Sequence, residues 1–310
     1  MKTTLTRRQF FQTAGVALAG VGALGPGVAG AVEPFKRAGG PRLLLSVAAY
    51  SFRQFFKDGN KAAPPADKAL DMFKFIDFCA DQGCAGAELT SYYFPKELTA
   101  EYLVQVRRHA FLRGVAISGT AVGNNFALPA GEALRKQVAD VKRWIDHAAV
   151  LGAPHIRVFA GAAKGITDAE ARKMCIASLE EVSDYAGTKG IFLGLENHGG
   201  IVAEADGLLE ILRAVKSPWL GVNLDTGNFH TDDPYADLAR CAPYAVNVQI
   251  KVEIKKRGAK ASEPSDYPRL TKILRDANYQ GYIAVEYEAA DDPFVAVPAA
   301  LKTLKGLFAA

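Results

Sequence analysis

The chain predicts an α/β protein, a single-domain (β/α)8 TIM barrel. Short apolar runs rich in β-branched residues alternate with longer segments of helical period, eight of each in strict order. The alternation fills about 270 residues, the length of one such barrel. An open doubly wound sheet is the rival, but it usually carries a G-x-G-x-x-G turn after its first strand, and none follows Phe52.

Residues 1–31 precede the pattern. Thr6-Arg7-Arg8-Gln9-Phe10-Phe11 is a twin-arginine motif, followed by a Gly/Ala-rich apolar stretch from Ala14 to Val28 and by Ala29-Gly30-Ala31. This reads as a signal peptide cleaved after Ala31, with the twin-arginine export machinery as partner and the periplasm as destination. The stretch is too short, too glycine-rich and too interrupted by Pro26 for a stable membrane anchor. Residues 32–41 read as a linker and 42–310 as the barrel.

The strands are expected at Leu43–Phe52, Cys84–Leu89, Val115–Val122, His155–Phe159, Ile191–Asn197, Leu220–Asp225, Ala245–Val252 and Gly281–Tyr287. Helices are expected near 67–81, 99–113, 131–151, 168–189, 203–215, 234–241, 266–278 and 293–308. Cys79, Cys84, Cys175 and Cys241 sit inside apolar patterns without a CxxC pair and read as buried thiols, with a single disulfide open to an exported protein.

Of the formal net charge of +4, three charges come from Lys2, Arg7 and Arg8, and residues 1–31 hold no acid, so the rest carries +1. That is no footprint for nucleic acid or an anionic membrane. Function is therefore sought at the carboxyl ends of the strands, where barrels of this kind place their reactive groups. By the two-residue period, Glu196 shares a face with His198, Asn223 with Asp225, Asn247 with Gln249 and Lys251, and Glu286 with Glu288. Carboxylates converging there need protons or a cation. Glu196, Asp225 and Glu286 with Gln249 as a neutral fourth ligand suit Mn²⁺ or Mg²⁺; the competing arrangement is helix capping or pairing with Lys and Arg.

Leu-Glu-Asn-His-Gly-Gly at strand five, Asn-Leu-Asp-Thr-Gly-Asn at strand six and Gly-Tyr-x-x-x-Glu-Tyr-Glu at strand eight resemble the xylose-isomerase-like TIM-barrel superfamily over residues 42–308. The superfamily includes sugar phosphate isomerases and epimerases. The resemblance implies metal binding by Glu196, Asp225, the strand-seven position and Glu286, with Glu196 and Glu286 doubling as acid and base. Strand seven departs from the pattern, carrying Gln249-Ile250-Lys251 where His-x-Lys is expected. An amide oxygen serves Mn²⁺ or Mg²⁺ but is a poor zinc ligand, which argues against zinc-dependent phosphodiester chemistry.

The implied reaction is proton abstraction next to a carbonyl through an enediolate, on a sugar or sugar derivative. Lys251 either adds positive charge at the enediolate or pairs with Glu286 or Glu288. Glu88 is placed near substrate or paired with Arg157, His198 and Asn228 orient substrate, and Tyr50 and Phe52 either form an apolar wall against a sugar ring or pack the core, the default for strand aromatics. His109, His147 and His230 carry no assigned role, and His155 lies at the opposite end of the barrel. A lyase or dehydratase using the same site, or a non-catalytic sugar-binding barrel, are the alternatives. Lys255-Lys256-Arg257 reads as a solvated loop, which with export favours an unphosphorylated sugar. Self-association stays open.

Overall fold

The computed structural model describes residues 32–60 and 62–309. The twin-arginine leader and its cleavage point fall outside the described residues. Eight parallel strands close a barrel: β1 (Arg42–Ala48), β2 (Gly86–Thr90), β3 (Ala116–Ala121), β4 (His155–Phe159), β5 (Phe192–Glu196), β6 (Leu220–Asp225), β7 (Ala245–Ile250) and β8 (Gln280–Val285). β1 pairs with both β2 and β8, so the expected (β/α)8 TIM barrel is the fold.

The crossover helices are α1 (Met72–Asp81), α2 (Ala100–Leu112), α3 (Glu132–Leu151), α4 (Asp168–Gly187), α5 (Ala205–Ala214), α6 (Pro234–Cys241), α7 (Tyr267–Asp276) and α8 (Pro293–Ala309). Local chemistry sets several starts. Asp71 and Thr99 accept from the backbone N–H three residues on, Thr167 and Glu170 form a reciprocal capping box, and Asp233 caps a helix whose first residue is Pro234. Among the described residues, no helix is long and apolar enough to cross a membrane.

Two expectations change, the end of β1 and the linker. β1 stops at Ala48, and Ala49–Phe55 form a 3₁₀ helix that carries Tyr50 and Phe52 out of the strand. The Ser51 hydroxyl donates to Val285 O (3.0 Å) and accepts from Tyr287 N (2.9 Å), which ties this turn over the end of β8. Phe52 is fully buried against Phe75, Phe78 and Phe294, so of its two expected places it takes the core. Residues 32–41 are no free linker. Phe35 N donates to Pro243 O (3.0 Å), and Arg37 donates to Ala245 O (2.5 Å) while stacking over Phe35 and Tyr279. All four cysteines are buried free thiols, with burial pushing Cys84 up to about 11 and Cys175 to about 12.

The barrel interior is polar, in tiers. At the floor Ser46 and Ser118 share a hydroxyl–hydroxyl bond (2.7 Å), and His155 Nδ1 donates to Ser118 O (3.0 Å). Above them lie Glu88, Asn223, Asn247 and Gln249; the top tier holds Glu196, Asp225, Lys251, Glu286 and Arg157. All of these are buried. Each of these side chains makes at least one hydrogen bond or ion pair, which is what lets such a core persist, while His155 Nε2, Asn247 Oδ1 and Asp225 Oδ2 have no hydrogen-bond partner among the described residues.

Candidate active site

The middle tier is a closed amide and carboxylate network. Gln249 Nε2 donates to Glu88 Oε1 (2.7 Å), Asn247 Nδ2 to Glu88 Oε2 (2.7 Å) and to Asn223 Oδ1 (2.8 Å), and Asn223 Nδ2 to Gln249 Oε1 (2.6 Å). Glu88 is fully buried and bonds neither substrate space nor Arg157; burial, with the nearby charge of Glu286, raises its carboxyl to about 7. Both ends of the Gln249 carboxamide are engaged below the mouth, so Gln249 presents no free oxygen to a cation beside Asp225 and Glu286.

The top tier collects the three expected carboxylates, each beside a basic group. Arg157 Nε lies 2.9 Å from Glu196 Oε2, a close charge pair without the alignment of a linear hydrogen bond. Asn228 Nδ2 donates to Glu196 Oε1 (3.0 Å), and Arg157 also stacks its guanidinium over Phe159. Lys251 Nζ is 2.7 Å from Glu286 Oε2 and 3.2 Å from Asp225 Oδ2, and it also pairs with Glu288.

These partners tune the acids in opposite directions. Burial outweighs Arg157 and raises Glu196 to about 7. Glu286 is equally buried, yet the charge and hydrogen bond of Lys251 hold it below the ordinary carboxylate range. Asp225 is driven well upward by burial, against the nearby charge of Lys251. Burial would lower the Lys251 ammonium, but Asp225, Glu286 and Glu288 hold it charged.

Backbone contacts set these positions. Asn197 bridges β5 to β6, donating to Asp225 O and accepting from Asp225 N (2.9 Å each). Gly227 N donates to Asp225 Oδ1 (2.8 Å), and Lys251 N donates to Thr226 Oγ1 (2.9 Å). A Cβ on Gly227 would come within 2.7 Å of Lys251 Cγ, so glycine is what lets the lysine stem pass.

Over this tier opens a cleft of about 240 Å³ lined by Asn228, His230, Lys251, Glu253, Ser262 and Glu288, among others. Glu196 and Glu286 each lie one hydrogen bond below its wall, through Asn228 and Lys251. His198 is exposed at the rim, its ring 4.7 Å from that of Phe159. Tyr50 is half-buried, with the Arg53 guanidinium 5.2 Å from its ring, and does not line the cleft. Sequence reasoning missed His230 and Ser262, which belong to loops, and Glu253, in a two-residue strand too short to show a period. Pairing with Arg157 was one of two places expected for Glu88; Arg157 instead faces Glu196.

A family model described as xylose isomerase-like TIM barrel matches residues 76–307. The chain belongs to this family. Solved structures share the fold at low identity. D-psicose 3-epimerase from Clostridium cellulolyticum H10, with D-tagatose, superposes with TM-score 0.69 at 15% identity, over 86% of this chain and 99% of that one. A xylose isomerase-like TIM barrel protein from Mycobacterium smegmatis, in complex with magnesium, gives 0.67 at 20%, over 86% and 96%. The 3-keto-D-glucoside 4-epimerase from E. coli gives 0.63 at 17%, over 86% and 100%. No curated protein matches the chain in sequence.

Proposed function

We propose that this protein is a sugar isomerase or epimerase that removes a proton next to a carbonyl through an enediolate, with Glu196 and Glu286 as the acid/base pair. The observation that carries the reading is two buried carboxylates tuned apart beneath one cleft, Glu286 held ionised and Glu196 raised to about 7. Such a division supplies a base and an acid near neutral pH. Glu286 takes the proton, the C–H electron pair becomes the enediolate double bond, and the carbonyl pair moves onto oxygen. Glu196 returns a proton to carbon.

Keto sugars are the substrates of two fold relatives, and a keto sugar or ketoside is the class proposed here. An uncharged one is favoured. The cleft carries Glu253 and Glu288, its Lys251 is committed to three carboxylates, and Lys256 and Arg257 of the following loop pair with Glu263, Glu204 and Asp232. Twin-arginine export to the periplasm belongs to the same proposal.

The divalent ion expected from the sequence does not fit the side chains as they stand. An ammonium bridges Asp225 and Glu286, both ends of the Gln249 amide are occupied, and Glu196 faces a guanidinium. Among the described residues, no three His, Cys, Asp or Glu side chains are arranged to hold a metal. No step above passes through one.

Proton–deuterium exchange into a panel of ketoses and 3-keto-glycosides in D₂O tests the reading. Exchange at the carbon next to the carbonyl, abolished in Glu286→Gln and Glu196→Gln, is the expected result. Sugar binding without exchange in the wild type overturns it in favour of a binding barrel.

A further inference from the structure

We infer that the Lys251 ammonium is the resident cation of this site and does, without a divalent ion, the electrostatic work at the substrate carbonyl oxygen. The inference deepens the proton-abstraction reading and rests on it for the carbonyl. Four observations converge. Nζ sits where Asp225, Glu286 and Glu288 meet, so a dication at that point would have to displace it. The lysine is a built part of the site: its backbone N–H is anchored on Thr226, and Gly227 leaves the space its stem crosses. The amide of β7 nearest the mouth, that of Gln249, is engaged in the tier below with Glu88 and Asn223, the tier where Asn247 also lies. Glu196, the remaining acid, has its own countercharge in Arg157.

The three carboxylates on Lys251 are not equivalent. Asp225 is fully buried and Glu286 nearly so, whereas the Glu288 side chain is 41% exposed and lines the cleft. An incoming carbonyl oxygen takes the Glu288 place on Nζ. When Glu286 removes the neighbouring proton and the carbonyl pair collects on oxygen, the ammonium beside it balances the new charge, as preorganised donors do for oxyanions. The proton returned to carbon restores neutrality at that oxygen, and no external oxidant or co-reactant is consumed.

The test is manganese binding followed by calorimetry and by thermal melting, on the full chain after dialysis against chelator. The wild type is expected to bind no Mn²⁺ and to keep its melting temperature in MnCl₂, and protein purified without chelator to carry no stoichiometric metal. Lys251→Met empties the cage of Asp225, Glu286 and Glu288, and this variant is expected to take up one Mn²⁺ and melt higher in its presence. Stoichiometric metal in the wild type, a manganese-dependent rise in its melting temperature, or a folded Lys251→Met without manganese affinity overturns the inference. Should Lys251→Met fail to fold, the wild-type titration decides alone. These readouts need no turnover, so they stand apart from the fate of the isomerase reading. Where exchange is present, it is expected to survive EDTA and to fall about 100- to 1000-fold in Lys251→Met.

Discussion

The Arg157–Glu196 pair offers the sharpest check on how the top tier is held. Both side chains are 4% exposed, and at 2.9 Å an effective dielectric of about 20 gives an attraction of about 6 kcal/mol. Desolvation of two charges consumes much of that, but removing one partner leaves the other buried and uncompensated, at a cost of about 3–5 kcal/mol. Arg157→Met and Glu196→Gln are each expected to lose stability on that scale in urea-induced unfolding. The double variant is expected to recover about 2–3 kcal/mol of the combined loss, because it leaves no lone charge. The cycle also has a pH signature. Glu196 already holds its proton to about 7, and without Arg157 it holds it further. A carboxyl raised on folding stabilises fully below its unfolded value and loses that contribution as pH rises through the folded one. The Arg157→Met deficit is therefore expected to be larger at pH 8 than at pH 5. Single-variant costs that add within about 0.5 kcal/mol, or a deficit independent of pH, would refute the argument.

Two further outcomes probe the floor of the barrel. Burial lowers His155 to about 4, so its contribution to stability is complete above the ordinary histidine value of 6.5 and is lost as pH falls through about 4; side-chain ¹⁵N shifts are expected to show it neutral at pH 5.5. A Cβ at Gly119 would fall on the His155 ring, and Gly119→Ala is expected to cost about 3 kcal/mol in unfolding, with the His155 resonances displaced.

The alternation of strand and helix was legible because each element buries one face with its own period. β4, β6 and α6 lie at the expected bounds. β1 was read too long: Tyr50 and Phe52 continue its apolar pattern, while hydrogen bonds from Ser51 to residues more than two hundred positions away bend the chain there. The site divides in the same way. Strand parity, a local property, places Asp225, Lys251 and the middle-tier amides inside the barrel. The chain written out as sequence thus determined the barrel, the end that bears the chemistry and the acids that gather there. Tertiary structure alone decided what balances those acids, because that depends on depth and reach. Gln249 lies one tier too low to serve the mouth, whereas Lys251, on the same face and one tier up, has a four-carbon stem that brings its charge to the point where β6, β7 and β8 converge.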